Sequence, residues 1–360
     1  MMLMSTMLKK LDDVECRPLE MCCEILDKKR KPITKAARES GKYPYYGANG
    51  VQDYVSGYIF DGVFILVGED GSVITSSGTP IVTWAEGKIW VNNHAHIISQ
   101  IDGVNLRYLF HYLQTVNVTP LIHGNIPKLT GKDFRAIPVP LPPLPIQQEI
   151  VRILDTFTNL TAELTAELTA RRKQYEYYRD ELLTFGEDVS RVQLGLVCDF
   201  KYGKGNNIPN ETGEYPVYGC NGIVSTTNTF NSEDAPIIGH IGSAGVVNWG
   251  KGKHFVTYNG TICRVKADKI RSRYAYYVLN SLHLERFVKG SQPFLSYGDF
   301  SKVLIPLPPI ERQDEIVRIL DQFDYFCNDL TSGIPAEISA RQKQYEYYRD
   351  QLLTFKRIGG

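Results

Sequence analysis

The segment RRKQYEYYRDELLTF at residues 171–185 returns as RQKQYEYYRDQLLTF at residues 341–355, with 13 of 15 positions identical. The shorter segment EIVRILD also occurs twice, at residues 149–155 and at residues 315–321, without any difference. Self-similarity at a fixed distance along a chain is the signature of a repeated architecture. The 360 residues therefore indicate a tandem duplication, in which each copy is a globular part followed by a long helix.

Each copy carries a helical stretch directly after a proline-rich segment. From Ile146 to Leu183 there is neither Gly nor Pro, and apolar side chains recur every three, four or seven residues. This period is typical of a helix with one apolar face. About forty residues at ~1.5 Å each make a rod of roughly 60 Å, which is too long for a small neighbouring domain to cover. The apolar faces of the two helices are therefore predicted to cover one another as a coiled coil.

The second helical stretch differs from the first in two ways. Between the two repeated segments the first copy has 15 residues and the second has 19, a difference of about one helical turn. The second copy also carries Gly333 and Pro335 within the stretch. Because proline lacks the N–H and its ring clashes with the preceding turn, the second rod is predicted to be kinked or interrupted there.

The globular parts, roughly residues 16–140 and 190–305, show the pattern of short strands. Runs such as YIFDGVFILVG, KIWVNNHAHII, APIIGHIG and GTICRVK are β-branched or aromatic and are separated by Gly, Pro, Asn and Asp. Short antiparallel strands joined by tight turns are expected from such runs. The predicted fold class is α+β, with two β-rich domains and two long helices that cover one another as a coiled coil.

Composition excludes several classes of protein. Apolar residues make up 43% and charged residues 22%, which are ordinary globular values. Forty Lys and Arg against forty Asp and Glu give zero net charge, which argues against a protein held to nucleic acid by bulk charge. The seven scattered cysteines include no C-x-x-C pair, so a disulfide framework or a zinc ribbon is not indicated and a reducing cytoplasm is expected. The sequence has no run of 18 apolar residues, so no membrane association is expected.

Catalytic signatures are absent from the sequence. There is no Asn-Pro-Pro-aromatic or Asp-Pro-Pro-aromatic tetrapeptide and no Gly-rich cofactor motif ahead of one. His94 and His96 lie two residues apart on a predicted strand, so both side chains are expected on one side of it. Because no third ligand is evident, a satisfied or exposed histidine pair is a better interpretation than a metal site. We therefore predict a chain with no active site, no metal and no cofactor of its own.

Local patches favour contact with nucleic acid. A basic stretch lies in a turn-rich segment of the first copy, and a smaller one lies at a similar place in the second. Compact cations in loops suit phosphate contacts, and polar or aromatic side chains on glycine-flanked loops suit base edges. A solvated face and ordinary Asn-Gly turns explain the same residues without any ligand. The candidate DNA contacts are Lys28, Lys29, Arg30, Lys31, Lys35, Tyr46, Asn49, Asn125, Lys201, Lys204, Tyr218, Asn221, Ser291 and Gln292.

The whole pattern resembles the specificity subunit of type I restriction-modification enzymes. The resemblance rests on the duplicated helices, the Pro-rich segments before them and the TAEL tandem at residues 161–168. It implies four parts, which are a target-recognition domain with a short N-terminal segment at 1–145, a spacer helix at 146–186, a second recognition domain at 187–309 and a second spacer helix at 310–356. It also implies that the two long helices are antiparallel and form a coiled-coil spacer, which separates the two β-rich domains with pseudo-two-fold symmetry.

The resemblance also implies a mode of action. Each recognition domain would read one half of a split, asymmetric target on double-stranded DNA. Two methylation subunits would dock on this chain and restriction subunits would join them, with S-adenosylmethionine, ATP and Mg²⁺ bound by those partners.

Two alternatives from other classes stay open at this point. One is a free-standing adenine DNA methyltransferase that carries its own recognition domain. The other is a coiled-coil assembly protein whose β-rich parts bind protein or glycan and not DNA.

Overall fold

A computed structural model describes residues 14–71, 73–205, 212–328 and 332–355. The chain divides into two compact units. Unit 1 takes the described residues of 1–163 and 338–360, and unit 2 takes the described residues of 164–337. Each unit therefore combines one β-rich part with helix segments that come from both copies of the repeat.

Unit 1 is built on a six-stranded sheet in the order β2-β7-β5-β6-β3-β4, and β1 pairs with β10 outside it. Strand β5, one of the two central strands, is apolar on both faces, as is expected of a strand that is covered on both sides. Ile65 and Val67 join one buried cluster with Tyr108 and Leu109, whereas Leu66 faces a second cluster. The elements are β1 (Cys16–Pro18), β2 (Glu24–Ile25), β3 (Ser40–Gly47), β4 (Gly50–Val55), β5 (Phe60–Gly68), β6 (Val82–Val91), β7 (Ala95–Ser99), α1 (Leu106–Leu113), β8 (Ile122–His123), β9 (Lys128–Leu129), α2 (Gly131–Arg135), β10 (Pro138–Pro140) and α3 (Leu144–Leu182).

Unit 2 repeats this plan, with a six-stranded sheet in the order β12-β17-β15-β16-β13-β14 and a separate pair of β11 with β18. Each strand of the second sheet thus has a counterpart in the first. Its elements are β11 (Arg191–Gln193), α4 (Leu194–Val197), β12 (Cys198–Tyr202), β13 (Tyr215–Gly219), β14 (Gly222–Thr227), β15 (Ser232–Gly239), β16 (Val247–Val256), β17 (Gly260–Val265), α5 (Ser272–Ser281), α6 (Tyr297–Phe300), β18 (Leu304–Pro306), α7 (Ile310–Asn328) and α8 (Ile334–Leu353).

One strand pair in each sheet departs from the expected antiparallel arrangement. β3 runs parallel to β6, and β13 runs parallel to β16. The expectation of purely antiparallel strands is therefore wrong at this pair. A longer connection is needed between parallel neighbours, and the residues between β3 and β6 include β4 and β5, which provide it. The α+β class and the tandem duplication are confirmed.

The two long helical stretches are unequal, as the sequence predicts. The first copy forms one helix of 39 residues, α3, with Pro145 in its first turn, where proline is tolerated. The second copy forms two helices, α7 with 19 residues and α8 with 20. Pro335 is the second residue of α8. The proline that cannot lie inside a helix thus stands where a new one begins.

Inside each unit, segments of both helical stretches pack against the β-rich part. In unit 1 the ring of Phe157 stacks on that of Tyr348, with 5.2 Å between centroids. In unit 2 Tyr178 stacks on Phe323 at 5.5 Å, and Leu182, farther along α3, lines a cavity together with Arg312 of α7. A later residue of α3 thus lies beside an earlier residue of α7, so these two helix segments are antiparallel.

A buried glutamine fastens each long helix to its β-rich part. The Oε1 of Gln147 accepts a bond from the backbone N–H of Asn105 at 2.8 Å, and its Nε2 donates to the Pro142 carbonyl at 2.8 Å. Gln313 makes the matching bonds, from the Arg271 N–H at 2.8 Å and to the Pro308 carbonyl at 2.9 Å. Each amide thus joins the proline-rich entry of the helix to the loop before α1 or α5.

The aspartate that ends each EIVRILD segment makes a second attachment. Asp155 accepts from Arg107 Nε at 2.9 Å and lies 2.8 Å from His111 Nε2, and His111 Nδ1 lies 3.0 Å from the Tyr345 hydroxyl. In unit 2, Asp321 holds Arg273 in the same way. A tyrosine, Tyr277, stands where unit 1 has His111 and donates to the aspartate.

The pKa values of Asp155 and His111 are both shifted downward in the folded chain. Burial raises the pKa of Asp155, but the bonds from His111 and Arg107 outweigh burial and hold that pKa below its usual value. Burial lowers the pKa of His111 more than the Asp155 carboxylate raises it, so the net direction is downward. His111 is therefore neutral in the folded chain at neutral pH.

None of the helices in the described part of the chain is both long enough and apolar enough to span a lipid bilayer.

The glutamine attachment predicts a specific loss of stability. Gln147→Leu keeps the approximate size of the side chain but leaves the Asn105 N–H and the Pro142 carbonyl unpaired in the interior. We expect the free energy of unfolding of unit 1 to fall by about 3 kcal/mol, since each unsatisfied buried group costs roughly 1–3 kcal/mol. Urea unfolding followed by tryptophan fluorescence measures it. Gln148 is the matched control, because it is the next residue but is exposed. Gln148→Leu should change the free energy of unfolding by no more than about 0.5 kcal/mol.

The His111 site predicts a dependence of stability on pH. Because the folded pKa lies below the ordinary 6.5, the unfolded chain binds more protons as the pH falls through 6.5, and stability is lost there. His111→Tyr, which copies Tyr277 of unit 2, should lessen the loss of urea stability between pH 7.5 and pH 5.5. Urea midpoints at the two pH values measure this. An equal loss in both proteins would contradict the assignment to His111.

Candidate functional site

Four connections meet at one end of the sheet of unit 1, which we call loop end 1. They are the β3–β4 turn at residues 48–49, the loop after β5 at 69–71, the β6–β7 connection at 92–94 and the β8–β9 loop at 124–127. Backbone bonds hold them together, including Glu69 N–H to His94 O at 2.9 Å and Gly71 N–H to Pro127 O at 3.0 Å. They enclose a groove of about 570 Å³ lined by Ala48, Asn49, Gln52, Asp70, Gly71, His94, Ile126 and Lys128.

The groove is lined by groups that can form hydrogen bonds. His94 Nδ1 is held by the Asp70 carboxylate, and the His94 side chain is 48% exposed. Gln52 accepts a bond from the Asn92 amide at 3.3 Å. Lys128 Nζ lies 3.9 Å from the Asp70 carboxylate. Asn49, His94 and Gln52 are exposed at the surface, so the groove presents amide and imidazole groups to a ligand.

A buried ion-pair network lies behind this groove. His96 Nδ1 lies 2.7 Å from Asp27, and its Nε2 lies 3.0 Å from the Leu129 carbonyl. Arg30 donates to Glu69 at 2.7 Å. Burial raises the pKa of Asp27, but the bond from His96 and the neighbouring charges outweigh burial and lower that pKa overall.

The three acidic and histidine side chains of this network, Asp27, Glu69 and His96, are close enough to share a metal ion. Arg30 already supplies positive charge to both carboxylates, with its guanidinium 3.7 Å from Asp27 and 2.7 Å from Glu69. The network therefore acts as a support for loop end 1. The expectation that His94 and His96 share one side of a strand is wrong, because His94 lies in the turn before β7 and is exposed, whereas His96 is buried.

The predicted contacts in unit 1 divide into exposed and internal groups. Arg30 points inward, with a side chain 11% exposed, and Tyr46 is buried in a hydrophobic cluster. Asn49 lines the groove, and Asn125 precedes its wall residue Ile126. The lysines are exposed on the surface, and they are Lys28, Lys29, Lys31 and Lys35.

Unit 2 assembles the equivalent loops, which we call loop end 2, through the same backbone bonds. The His240 N–H donates to Asn259 O at 2.8 Å, just as Glu69 donates to His94 O in unit 1. The Gly242 N–H donates to Pro293 O at 3.2 Å. Loop end 2 therefore consists of the β13–β14 turn at 220–221 and the segments 240–242, 257–259 and 290–294.

Loop end 2 is aromatic where loop end 1 is polar. The His240 ring is buried and lies 4.0 Å from the Tyr202 ring, 4.6 Å from Phe294 and 5.5 Å from Tyr258, between centroids. Its Nδ1 lies 2.7 Å from the Leu295 carbonyl. Phe294 and Tyr258 keep more than a third of their surface exposed. Loop end 2 therefore presents aromatic rings to a ligand, next to exposed polar side chains of its turns.

The predicted contacts in unit 2 are placed as follows. Tyr218 is buried, and its hydroxyl donates to the Trp249 carbonyl at 3.2 Å. Asn221 is exposed at the β13–β14 turn, and Ser291 and Gln292 are exposed in the 290–294 loop. Lys201, on β12, and Lys204, just after it, are exposed as well.

Sequence reasoning missed several side chains that the loop ends bring together. Gln52, Asp70 and Lys128 line the groove of unit 1, and Tyr258 and Phe294 are exposed in unit 2. Only Asp70 and Tyr258 carried a local signal in the sequence, because they directly precede Gly71 and Asn259. Only the pairing of the strands shows that these ends meet.

Comparison with known proteins agrees with this architecture. The family described as the type I restriction modification DNA specificity domain matches twice, at residues 12–171 and 186–340. A type I restriction enzyme specificity subunit of Haemophilus influenzae is 36% identical over 97% of this chain and 98% of its own length. The EcoR124I/EcoR124II specificity subunit of Escherichia coli is 33% identical over 69% of this chain and 71% of its own.

A solved structure shows the same fold. The S subunit of a type I restriction-modification system from M. genitalium superposes with a TM-score of 0.70 at 19% identity, covering 96% of this chain and 97% of that one. The double family match covers both copies of the repeat, and the relative from Haemophilus influenzae is similar along nearly the whole chain. The chain belongs to the specificity subunits of type I restriction-modification enzymes.

Proposed function

We propose that this chain selects the DNA target of a type I restriction-modification complex by reading a split, asymmetric sequence, one half with each loop end. The observation that carries this proposal is the pair of loop ends, which share one backbone arrangement but present different side chains. Two loop ends that have the same backbone arrangement but different side chains are suited to bind two different half-site sequences. We assign the recognition parts to residues 1–145 and 187–309 and the spacer parts to residues 146–186 and 310–356, which contain most of α3 and both α7 and α8.

Positive charge supports the contact with DNA backbone. Lys28 and Lys29 lie in a 3-10 turn beside loop end 1, and Lys31 follows them. Lys31 and Lys204 hold matching places, since their N–H groups donate to Val91 and Val256 at the ends of β6 and β16. Phosphate contacts position a protein on the duplex without reading the sequence. With zero net charge on the whole chain, we expect weak binding by this chain alone and phosphate contacts from its partners.

The proposed partners are two methylation subunits, which the restriction subunits join. The segment KQYEYYRD is identical in both copies, including its exposed positions. Tyr178 and Tyr348 are explained by their packing on Phe323 and Phe157. Tyr177 and Tyr347 are 64% and 61% exposed, so packing does not explain their identity. A partner subunit that binds once to each copy of the segment would explain why these exposed tyrosines are the same in both copies.

The chemistry of the complex is assigned to those partners. S-adenosylmethionine for methylation and ATP with Mg²⁺ for restriction would be bound outside this chain, which we propose to be non-catalytic and cytoplasmic. Cysteine usage supports the reducing compartment, since all seven cysteines are free thiols. Family membership does not favour the two alternatives, a free-standing adenine methyltransferase and an assembly protein that binds no DNA.

The helix α3 predicts how the gap between half-sites is set. Deleting residues 165–168, one TAEL, shortens the helix by ~6 Å, which corresponds to up to about two base pairs along the duplex. We expect the complex with methylation subunits to modify targets whose gap is shorter by one or two base pairs, with both half-sequences unaltered. Sequencing of the methylated bases measures this. Glu167→Gln keeps the helix length and should keep the gap, whereas an unchanged gap in the deletion variant would refute the spacer role.

The repeated tyrosines predict how the partners bind. Tyr177→Ala should remove one methylation subunit from the complex, and Tyr177→Ala with Tyr347→Ala should remove both, as measured by mass in light-scattering chromatography. Tyr325→Ala is the matched control, because Tyr325 is 47% exposed on α7 but has Asn159 at the corresponding place of the first copy. Full assembly of the double variant would contradict the docking role.

A further inference from the structure

The two loop ends can be compared position by position. The Glu69 N–H bonds to His94 O, and the His240 N–H bonds to Asn259 O. His94 and Asn259 therefore occupy the same place. At the next position of each loop, the backbone of Asp70 pairs with that of Lys128 in a single antiparallel β-bridge, and the backbone of Ile241 pairs in the same way with that of Phe294. The matched pairs are thus His94 with Asn259, Asp70 with Ile241 and Lys128 with Phe294.

The hairpin at each loop end adds a fourth matched position. Val51 pairs with Tyr46 in the β3–β4 hairpin, and Ile223 pairs with Tyr218 in the β13–β14 hairpin. The residues that follow are Gln52 and Val224. A Cβ placed on Gly47 would meet the Gln52 side chain, and a Cβ on Gly219 would meet that of Val224. Gln52 and Val224 are therefore equivalent, with opposite chemistry.

In loop end 1 the hydrogen-bonding groups are held in place and remain available. Asp70 holds the Nδ1 of His94, which leaves its Nε2 for a partner from outside. The Asn92 amide holds the Oε1 of Gln52, which leaves the Gln52 amino group. A side-chain amide can bond to the N6 and N7 atoms of adenine, and base edges in the major groove carry a distinct pattern of donors and acceptors.

In loop end 2 three of the four matched places carry apolar side chains, and Asn259, at the place of His94, is the polar one. Phe294 is 39% and Tyr258 is 37% exposed, and both rings rest on the buried His240 ring. Ile241 and Val224 complete this surface, and Val224 is exposed. Apolar side chains recognise the methyl group of thymine, and they also insert between base steps and kink the duplex.

We propose that the two half-sites are read by different chemistry. Loop end 1 reads its half-site by hydrogen bonds from Asn49, Gln52 and His94 to base edges, with Asp70 as the positioning residue for His94. Loop end 2 reads its half-site by apolar and stacking contact through Ile241, Tyr258 and Phe294. This inference rests on the proposed function, because it assumes that both loop ends contact DNA.

The test uses the chain assembled with its methylation subunits and S-adenosylmethionine. The complex acts on a library of duplexes in which every base pair of both half-sites is varied in turn, and methylation rates are read by sequencing. We expect Gln52→Ala and His94→Ala to lower discrimination roughly tenfold at one or two base pairs of one half-site and to leave the other half-site unchanged. Asp70→Asn should weaken discrimination at the His94 position only.

Phe294→Ala and Ile241→Ala should act on the other half-site alone. There we expect the preference for thymine over cytosine to fall by about fivefold, or all sequences of that half-site to lose rate together if the ring acts as a wedge. Val51→Ala is the matched control in unit 1, because Val51 is exposed beside Gln52 on β4 but does not line the groove. It should leave both half-sites unchanged.

Thermal unfolding of each assembled complex shows whether a variant is folded. His94→Asn, which copies the Asn259 of loop end 2, replaces His94→Ala if the latter does not fold. Two results would overturn the inference while the proposed function stands. In the first, the wild-type complex shows a split target and the variants keep its base preferences. In the second, each variant changes the base preferences of both half-sites. A wild-type complex that shows no split target would instead overturn the proposed function.

Discussion

The structure depends on one buried attachment that occurs twice. A glutamine amide, Gln147 in one unit and Gln313 in the other, bonds both to the proline-rich entry of the long helix and to the loop before the domain helix. The aspartates Asp155 and Asp321, two helical turns on, repeat the attachment with an arginine. Because the two glutamines are buried, where an unpaired polar group is costly, their bonds fix the direction in which each helix leaves its sheet.

This constraint separates what is shared between the units from what differs. The sheets have the same strand order, and the loops at their ends are held by the same backbone bonds. Side chains at matched places are free to change, as His94 and Asn259 show, because they contribute little to the core. Loops carried on a rigid support are where binding surfaces vary in other proteins as well. The design therefore separates stability from recognition.

Much of the fold could be predicted because its signals are local. The duplication, the helix α3 and the interruption before Pro335 follow from repetition, periodicity and the stereochemistry of proline. The parallel pair of β3 with β6 could not be predicted, because strand neighbours depend on pairing between distant segments. A basic stretch such as residues 28–31 is visible in the sequence, whereas the pairing of Asp70 with His94 is not, since the two residues lie 24 positions apart.

The division into units has a consequence for a chain that holds only one copy of the repeat. Unit 1 is completed by Tyr345, Leu352 and Leu353, which belong to the last helix of the second copy. A half-length protein would lack that segment, but its own helix ends in nearly the same sequence. Two such molecules would each lend the end of this helix to the other, as in domain swapping. The result would be a symmetric homodimer that recognises a palindrome.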